Sequence, residues 1–549
     1  MINYEALAVA NPVTPFSIFV NQAGYYPDAV KKAYMAFSCE DFEVLDLCGN
    51  VKYSGKTVYA GPDETSGDDV WVADFTPLKD SGRYCIRANG NTSAMFNIGR
   101  HIYDDVLCKT LKAFYYLRCG QELTEEYALL WHHAKCHTDL SKLWEDADVS
   151  MDATGGWHDA GDYGKYVTAG SVACAQLLYA YKLFPDVFNT ININIPKAKT
   201  PDILTEVRYE LEWLLKMQNS EGGVYHKVTT KMHAPFIMPE DDHEQMYVFP
   251  VSSMACADFA AVCALAATIY EVYDKDFSDK LIAAAKKSAA WLDAHPDFLG
   301  FSNPDGCNTG EYGERNDYSN RFWAYCELYS ATGESSYHDK LIHASAMDFP
   351  LTEFGYSEIG ALGAVSYMLC KYTRDPSMED KIRGAFNWRI NDLKNTAATC
   401  GYDVAMGEHD YYWGSNMGLM TKAMVFAMGD VLFDDHSCVE LATSHLHYLL
   451  GANALGICYV TGVGEFRVNN PHLRPTVCDG IGESIPGMVA GGPNRNLSDP
   501  IAKNLLREGT PPMKCYADNA LSYSLNEITI YWNSPAVFVL AYLLNHNIT

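Results

Sequence analysis

The chain has 549 residues, of which 48% are hydrophobic and 20% charged, a composition typical of a folded soluble protein with one large or two smaller domains. Its formal net charge is −28, because 69 Asp and Glu outnumber 41 Lys and Arg. Without a basic surplus to displace counterions, a nucleic-acid partner is disfavoured, and an anionic membrane surface would repel the chain. We therefore expect neither nucleic acid nor a membrane as a partner.

The beginning of the chain and its cysteines bear on the compartment. No basic residue precedes Lys31, and Asn11, Pro12 and Pro15 interrupt the stretch that would otherwise resemble an apolar signal core. Seventeen cysteines, an odd number scattered through helix-like segments, are typical of buried thiols in a reducing compartment rather than of a disulfide framework. We therefore expect no secretory signal and a cytoplasmic protein, although export without a leader is left open.

The first hundred residues contain short runs of β-branched and aromatic residues separated by turn residues. Such runs predict a small all-β sandwich over residues 1–99, with the boundary at Gly99-Arg100. The predicted strands lie at 16–20, 33–37, 43–47, 56–60, 70–75, 83–88 and 94–98.

Beyond residue 99 the hydrophobic period becomes helical. Ile203, Leu204, Val207 and Leu211 fall on one helical face. Similar patterns recur near 104–117, 168–184, 257–273, 279–292, 320–331, 358–372, 417–432, 437–450 and 535–545. Long irregular stretches join these helices, and we expect function-bearing loops there, at 219–250, 296–319, 395–416 and 453–518. The pattern predicts a mainly α domain over residues 100–549, built as a barrel of helical hairpins.

Two acidic motifs stand far apart in the chain. Glu527 lies in an aromatic, largely uncharged run, where lost hydration raises the pKa of a carboxyl and suits it to act as a general acid. Asp159 and Asp162 lie among small residues, where the backbone turns tightly and a water can approach. One carboxyl kept acidic and another kept basic are the parts that glycoside hydrolysis needs. Taken alone, the second motif would more often be a turn or a helix cap.

These motifs resemble glycoside hydrolase family 9. Residues 516–534 match the acid-bearing signature of that family at every constrained position, and residues 155–166 match its base-bearing motif. Residues 460–475 resemble its substrate-binding loop. Residues 19–25 resemble the opening strand of the immunoglobulin-like domain found in one subgroup, so the resemblance covers nearly the whole chain.

The resemblance implies a fold, a substrate and a mechanism. The expected fold is an (α/α)6 barrel preceded by a small immunoglobulin-like sandwich, and the expected reaction is inverting hydrolysis of β-1,4-glucans. By the same resemblance Glu527 is the general acid, Asp162 is the base, and Asp159 helps to hold the attacking water. Inversion needs room for that water, so we predict that the Asp162 and Glu527 carboxyls lie about 6.5–9.5 Å apart.

Further side chains are implied to bind the sugar. His472 and Arg474 correspond to hydrogen-bonding residues of the family, Trp413 to a stacking platform, and Tyr523 to an aromatic position of the acid-bearing signature. Without the resemblance, a His-x-Arg loop would more often be a surface salt bridge, and Trp413 could equally be a buried core residue.

The substrate-binding loop departs from the family pattern. Leu473 stands where many endo-acting members have a second histidine, Cys458 where Ser or Thr is usual, and Phe466 where a polar or basic residue is usual. These differences leave the acid and base unchanged but alter the polarity of the cleft, so substrate length stays open.

A metal site is also implied by the resemblance. Four residues resemble the structural zinc site of the subgroup with the immunoglobulin-like domain, with His133 as an alternative fourth ligand: Cys119, Cys136, His137 and His158. Without the resemblance such residues are usually packed in the core. Calcium is a second candidate, with acidic residues in 239–244 and 301–320 as ligands, although no spacing demands it. No organic cofactor is expected.

We interpret the chain as a cellodextrinase-like enzyme acting on soluble cello-oligosaccharides. The absent signal, the thiols and the lack of an appended cellulose-binding or dockerin-like segment favour imported short substrates. The alternatives are an endo-β-1,4-glucanase on cellulose or mixed-linkage glucan, an exo-glucosaminidase, and, in another class, a non-catalytic sugar-binding protein. A polysaccharide lyase is disfavoured because uronates need a cationic cleft, which a charge of −28 does not suggest.

Overall fold

The structure is a computed structural model that describes residues 15–548. Residues 1–14 of the predicted sandwich lie outside the described residues. They include Asn11 and Pro12, on which the expectation of no secretory signal partly rests.

The N-terminal part is the β-sandwich that the sequence predicts. In the described residues its strands are β1 Ile18–Phe19, β2 Lys32–Met35, β3 Asp41–Asp46, β4 Val51–Asp63, β5 Asp68–Asp74, β6 Gly82–Ala88, β7 Asn91–Thr92 and β8 Phe96–Ile98. They pair in the order β1-β2-β5-β4-β3-β6-β7, with β8 also on β6. Tyr25 lies in the core, where its ring meets Phe75 and Phe96 edge-on at 5.1 and 5.3 Å.

One strand is much longer than the sequence pattern suggests. The hydrophobic pattern predicts a strand over 56–60, whereas β4 extends over Val51–Asp63. Most of its side chains are exposed or half-buried. Because few apolar residues lie on its inner face, the alternation of hydrophobic and polar residues predicts a strand that is too short.

The remaining described residues are mainly helical, as predicted. The α-helices are α1 Asp104–Tyr116, α2 Glu125–Ala128, α3 Val167–Leu183, α4 Pro185–Thr190, α5 Asp202–Lys216, α6 Ser253–Tyr270, α7 Lys275–Ala294, α8 Tyr318–Thr332, α9 Ser335–Ala344, α10 Gly360–Leu369, α11 Pro376–Thr399, α12 Ser415–Phe433, α13 Val439–Leu449, α14 Arg474–Cys478, α15 Pro500–Leu505, α16 Tyr523–Asn526 and α17 Ile530–Ile548. Short 3-10 helices lie at Leu129–Trp131, Pro239–Asp241, Glu408–Asp410, His436–Cys438 and Pro512–Lys514.

Helix α6 shows how sequence sets burial in this part. The Ser252 hydroxyl caps its first turn by accepting the Ala255 N–H, and the helix is apolar on all sides. It packs against α3, α7 and α8. Its length and composition alone would let it cross a membrane, but 94% of that stretch is buried within the protein. A helix with no polar face belongs in the interior of a helical assembly.

A small five-stranded sheet lies among the long loops and was not predicted. Its strands run in the order β10-β9-β13-β12-β11. They are β9 Ser141–Leu143, β10 Ser150–Met151, β11 Lys165–Tyr166, β12 Lys227–Thr229 and β13 Tyr247–Val248. Strands of two or three residues are too short to give a period-2 pattern. The sheet brings β11, which is formed by the last two residues of the first acidic motif, beside β12.

The described chain divides into two compact units. The first comprises residues up to Ala113, Ile390–Asp430 and the chain from Asp434 onward. The second comprises Phe114–Arg389 and Val431–Phe433. The first acidic motif and the predicted metal ligands therefore belong to the second unit. The acid-bearing signature and the predicted sugar-binding residues belong to the first.

Gln22 ties the sandwich to the C-terminal part of the first unit. Its amide nitrogen donates to Gly456 O at 2.8 Å and to Phe466 O at 2.9 Å. Its amide oxygen accepts the Glu465 and Phe466 N–H groups, both at 2.8 Å. Because Gln22 is buried, each of these groups would lose its partner if the side chain were truncated.

We predict that Gln22→Ala lowers the free energy of unfolding by about 2–6 kcal/mol, since four hydrogen bonds contribute about 0.5–1.5 kcal/mol each. Chemical denaturation measures the change. Gln245→Ala is the control: within residues 15–548 the half-buried Gln245 makes two hydrogen bonds, to Leu140 O and Met246 O, so its loss should cost less. Equal losses in the two variants would contradict the role given to Gln22.

Candidate active site

The two aspartates of the first acidic motif lie in a tight turn of the second unit. The Asp159 N–H donates to Gly164 O at 2.9 Å, and the Gly164 N–H donates to Asp162 Oδ1 at 3.0 Å. Gly156 precedes the turn with a φ of 76°, and a Cβ there would lie 2.7 Å from Trp213 Cγ. Glycine alone tolerates both the conformation and the space. The small residues of the motif therefore let the backbone enter the turn.

Asp159 is a buried carboxyl, 1% exposed. Burial raises its pKa well above the ordinary value, the hydroxyl of Tyr312 lowers it, and the charge of Asp162 raises it. The Tyr312 hydroxyl donates to Asp159 Oδ2 at 2.5 Å. The other oxygen, Oδ1, is buried without a hydrogen-bond partner among the described residues. That oxygen can accept a hydrogen bond from a water or from a substrate hydroxyl.

Each oxygen of Asp162 has a polar neighbour. Oδ1 accepts the Gly164 N–H, and Oδ2 lies 2.6 Å from His233 Nδ1. The side chain of Asp162 is 8% exposed, whereas that of His233 is 37% exposed. The Gly164 N–H favours the ionised carboxylate, since a donor stabilises the charged form.

The loop that carries Tyr312 is held by a buried histidine. Tyr312 has a φ of 49°, which is uncommon for a residue with a side chain and concentrates at functional sites. The ring of His226 contacts Glu311 O through Nε2 at 2.9 Å and the Ser252 hydroxyl through Nδ1 at 2.8 Å. Burial lowers the pKa of His226 to about 3, so the ring is neutral and donates from Nε2 to the carbonyl.

A buried lysine holds the preceding part of the same loop. Lys227 Nζ donates to Asn303 Oδ1 at 2.6 Å, to Gly310 O at 2.7 Å and to Thr309 Oγ1 at 2.9 Å. Burial lowers the pKa of Lys227 to about 8. Lys227 is the first residue of β12, and His226 directly precedes it. Together these two side chains hold the loop that places the Tyr312 hydroxyl on Asp159.

The first unit holds Glu527 between α16 and α17. Its N–H donates to Tyr523 O at 3.2 Å, and its carbonyl accepts the Gly491 N–H at 2.8 Å. A β-bridge also joins Glu527 to His472. The backbone of Glu527 is thus fixed on both sides, and the residue is half-buried. The raised pKa expected for its carboxyl stays a prediction.

Asp518, a constrained position of the acid-bearing signature, positions the neighbouring loop. Its carboxylate accepts the backbone N–H groups of Asn469 and Asn470, both at 2.8 Å. It also accepts from the Asn526 side chain at 2.8 Å. These contacts tie the residues just before His472 to those just before Glu527. No role was predicted for Asp518 from the sequence, although its constrained place in the acid-bearing signature indicated that it has one.

The predicted sugar-binding residues of the first unit are neighbours. The rings of Trp413 and Tyr523 lie 5.2 Å apart, and those of His472 and Tyr523 lie 6.1 Å apart. Trp413 is 42% exposed, so it is not a buried core residue. His472 Nδ1 lies 2.7 Å from Ala520 O, a contact that requires a proton on Nδ1. Arg474 is buried at the start of α14.

The predicted metal ligands form one buried group in the second unit. One ligand atom from each lies within 4.8 Å of the others: Cys119, Cys136, His137 and His158. Contact with Cys136 lowers the pKa of the Cys119 thiol well below its ordinary value. His137 Nε2 lies 3.4 Å from Asp242 Oδ2, and Nδ1 lies 3.3 Å from His158 Nε2. Two sulfurs, two imidazoles and a carboxylate behind one imidazole fit a closed zinc site.

The other metal proposals find less support in the described residues. His133 Nδ1 contacts Ala134 O at 2.7 Å, and His133 does not belong to the four-residue group. Within residues 15–548 the acidic side chains of 239–244 and 301–320 do not form a second close group of three or more His, Cys, Asp or Glu ligands; calcium, which also takes backbone and water oxygens, stays a prediction.

Several residues at the site could not be identified from the sequence. His226, Lys227 and His233 lie in the stretch 219–250, which was expected only to be a function-bearing loop. Tyr312 lies in the corresponding loop at 296–319. A histidine and a lysine within the run Val-Tyr-His-Lys-Val-Thr-Thr are polar residues in a strand-like setting. This polar pair was the one local indication of a functional role, and it does not reveal which residues His226 and Lys227 contact.

The family follows from comparison with known proteins. Residues 103–540 match "Glycosyl hydrolase family 9", and residues 14–93 match "Cellulase N-terminal ig-like domain". The cellodextrinase of Butyrivibrio fibrisolvens is 44% identical over 550 residues, which cover 96% of this chain and 99% of that protein.

Comparison with solved structures supports the same family. A single mutant of a thermostable endoglucanase from Alicyclobacillus acidocaldarius superposes with a TM-score of 0.91 at 37% identity, covering 96% of this chain and 100% of that one. A Zn-binding triple mutant of the family 9 endoglucanase J30 gives 0.90 at 33% identity, covering 94% and 99%.

The helical part is accordingly the (α/α)6 barrel of these enzymes, and the sandwich is their immunoglobulin-like domain. The chain belongs to glycosyl hydrolase family 9 and is a glycoside hydrolase.

Proposed function

We propose that this enzyme hydrolyses β-1,4-glucosidic bonds of soluble cello-oligosaccharides with inversion of the anomeric carbon. The observation that carries the proposal is the 44% identity, over nearly the full length of both chains, to a protein named cellodextrinase. The two acidic motifs, one with Asp159 and Asp162 and the other with Glu527, support acid–base hydrolysis of a glycosidic bond.

The proposed roles of the acids follow from their surroundings. Glu527 protonates the leaving glycosidic oxygen, and Asp162 accepts a proton from the attacking water. The Gly164 N–H supports this role for Asp162, because a donor on Oδ1 favours the ionised form. Asp159 holds the same water, which its buried Oδ1 supports. The separation of about 6.5–9.5 Å between the Asp162 and Glu527 carboxyls stays a prediction of inversion.

The proposed sugar contacts lie in the first unit. The partly exposed Trp413 offers a flat face for a pyranose ring, and Tyr523 lies beside it. His472 and Arg474 would hydrogen-bond the sugar next to the scissile bond. The described contacts support His472 most directly, since Ala520 O fixes one of its ring nitrogens.

We further propose two domains, residues 1–99 and 100–549, and a cytoplasmic location. The location is supported by the many buried thiols, twelve of the seventeen cysteines being buried. An endo-β-1,4-glucanase is the second candidate activity, favoured by the similarity to the Alicyclobacillus endoglucanase.

We predict that Asp162→Asn and Glu527→Gln each lower kcat by at least about 10²–10⁴-fold, because each removes a proton-transfer group without changing its shape. Hydrolysis of cellopentaose, followed by chromatography, measures this. Circular dichroism checks that both variants fold. A wild-type rate in either variant would show that its role is misassigned. Rapid loss of carboxymethyl-cellulose viscosity by the wild-type enzyme would favour the endoglucanase.

We predict that Tyr312 and Lys227 act through one pathway. Tyr312→Phe removes the donor on Asp159, and Lys227→Met releases the loop that carries Tyr312. Each should lower kcat by about tenfold or more with KM little changed, and the double variant should be no worse than the more damaged single variant. Additive losses in this double-mutant cycle would contradict the pathway. Lys286→Met is the control, since Lys286 pairs with the surface residue Glu334.

We propose that the buried Cys2His2 group holds one structural zinc ion, and a calcium site elsewhere remains a prediction. Bound zinc would cross-link the segments around residues 119, 136 and 158. Purified enzyme should contain about one zinc per chain by elemental analysis. Cys136→Ser should lose the ion and lower the melting temperature, whereas Cys174→Ser, at another buried thiol, should keep it. Zinc retained by Cys136→Ser would contradict the ligand assignment.

A further inference from the structure

We propose that Asp499 is a positioning residue for the general acid: its carboxylate fixes the single helical turn of α16 that leads into Glu527. The proposal rests on the proposed role of Glu527. Asp499 lies outside both acidic motifs, in the stretch 453–518 that was expected only to be a function-bearing loop. It would act through the backbone of α16 rather than by touching the sugar.

The Asp499 carboxylate is buried and accepts hydrogen bonds from two segments. Asp499 is 1% exposed. Its Oδ2 accepts the Ser524 hydroxyl at 2.6 Å, the Ser522 hydroxyl at 2.7 Å and the Ser524 N–H at 2.9 Å. Its Oδ1 accepts the Ala502 N–H at 2.8 Å and so caps α15. Burial on its own raises the pKa of Asp499, but these donors outweigh burial and the pKa lies below its ordinary value.

Helix α16 needs support from outside itself. It has only four residues, and one helical turn is not stable in isolation because the cost of nucleation is not repaid. Ser522 occupies the N-cap position, but its side chain does not cap the turn. The Ser522 hydroxyl donates to Asp499 instead. Asp499 therefore provides the acceptor for the Ser524 N–H that an N-cap side chain ordinarily provides.

The turn that Asp499 holds leads directly into the acid. The Asn526 N–H donates to Ser522 O at 3.0 Å, and the Glu527 N–H donates to Tyr523 O at 3.2 Å. A shift of the first residues of the turn therefore moves the backbone of Glu527. A general acid must lie within hydrogen-bond reach of the leaving oxygen, and a displacement of about 1 Å can lower the rate about 10²-fold.

The segment that carries Asp499 also contacts the acid-bearing segment elsewhere. The Gly492 N–H donates to Leu525 O at 3.0 Å. The buried Asn494 side chain donates through Nδ2 to Ser524 O at 3.2 Å. These bonds join neutral groups, whereas those of Asp499 end on an ionised carboxylate and are stronger. Loss of the Asp499 charge should therefore loosen α16 more than loss of either neutral contact.

The leaving group separates a positioning role from a general structural one. The sugar released from cellopentaose needs a proton from the acid, whereas 2,4-dinitrophenolate is a stable anion that departs without one. Both substrates still need the base to activate water. A misplaced acid should therefore slow hydrolysis of cellopentaose and spare hydrolysis of 2,4-dinitrophenyl β-cellobioside.

We expect Asp499→Asn to lower kcat on cellopentaose by about tenfold or more, with KM changed less than about twofold. Its kcat on the dinitrophenyl cellobioside should fall less than about threefold. The amide has the size of the carboxylate but offers one acceptor oxygen where the four donors need two. Ser524→Ala removes one hydroxyl donor and should show the same selectivity with a loss of about threefold on cellopentaose. It decides the question if Asp499→Asn does not fold, which circular dichroism checks.

The control is Asp274→Asn, because Asp274 caps the first turn of α7 by accepting the Phe277 N–H at 3.1 Å. It should leave both rates unchanged. Equal losses on the two substrates in the Asp499 and Ser524 variants, or wild-type rates on both, would overturn the positioning role when Glu527→Gln shows the selective loss. Wild-type hydrolysis of cellopentaose by Glu527→Gln would instead overturn the assignment of the acid.

Discussion

Two carboxyls are buried in a single turn of the second unit, and neighbouring groups of that unit offset the free-energy cost of their burial. Asp159 and Asp162 repel each other, and burial adds to the free-energy cost of their charges. The turn itself supplies the Gly164 N–H, and side chains from outside it supply the Tyr312 hydroxyl and the His233 ring. The two aspartates therefore have different surroundings. Asp162 accepts the Gly164 N–H on one oxygen and lies 2.6 Å from His233 Nδ1 with the other, whereas Asp159 keeps a buried oxygen without a partner among the described residues.

The supports for these donors are themselves buried polar groups. His226 and Lys227, adjacent in the chain at the start of β12, hold the loop that carries Tyr312, and Tyr312 accepts an uncommon backbone conformation there. The four-residue metal group includes His158, the residue before Asp159. A metal at that group would fix the backbone next to the carboxyl, which joins a structural site to the active site through one peptide bond.

Much of the fold was predictable because it depends on long patterns. The helices have apolar faces that repeat over several turns, and the sandwich has punctuated apolar runs. The acidic motifs were recognisable because their spacing is constrained. The small five-stranded sheet was not predictable, because strands such as Lys227–Thr229 are too short for a pattern. Lys227 was missed for a related reason: its role comes from contacts across about 80 residues of chain, which no local pattern records.

The proposed mechanism depends on a water activated at Asp162 that attacks the sugar from the side opposite to the acid. The anomeric form of the first product tests this most directly. Proton NMR during the first minutes of cellopentaose hydrolysis, before mutarotation, should show the newly formed reducing end as the α-anomer, because the β-linkage is inverted. Initial release of the β-anomer would contradict it, since retention requires a carboxylate to attack the sugar directly.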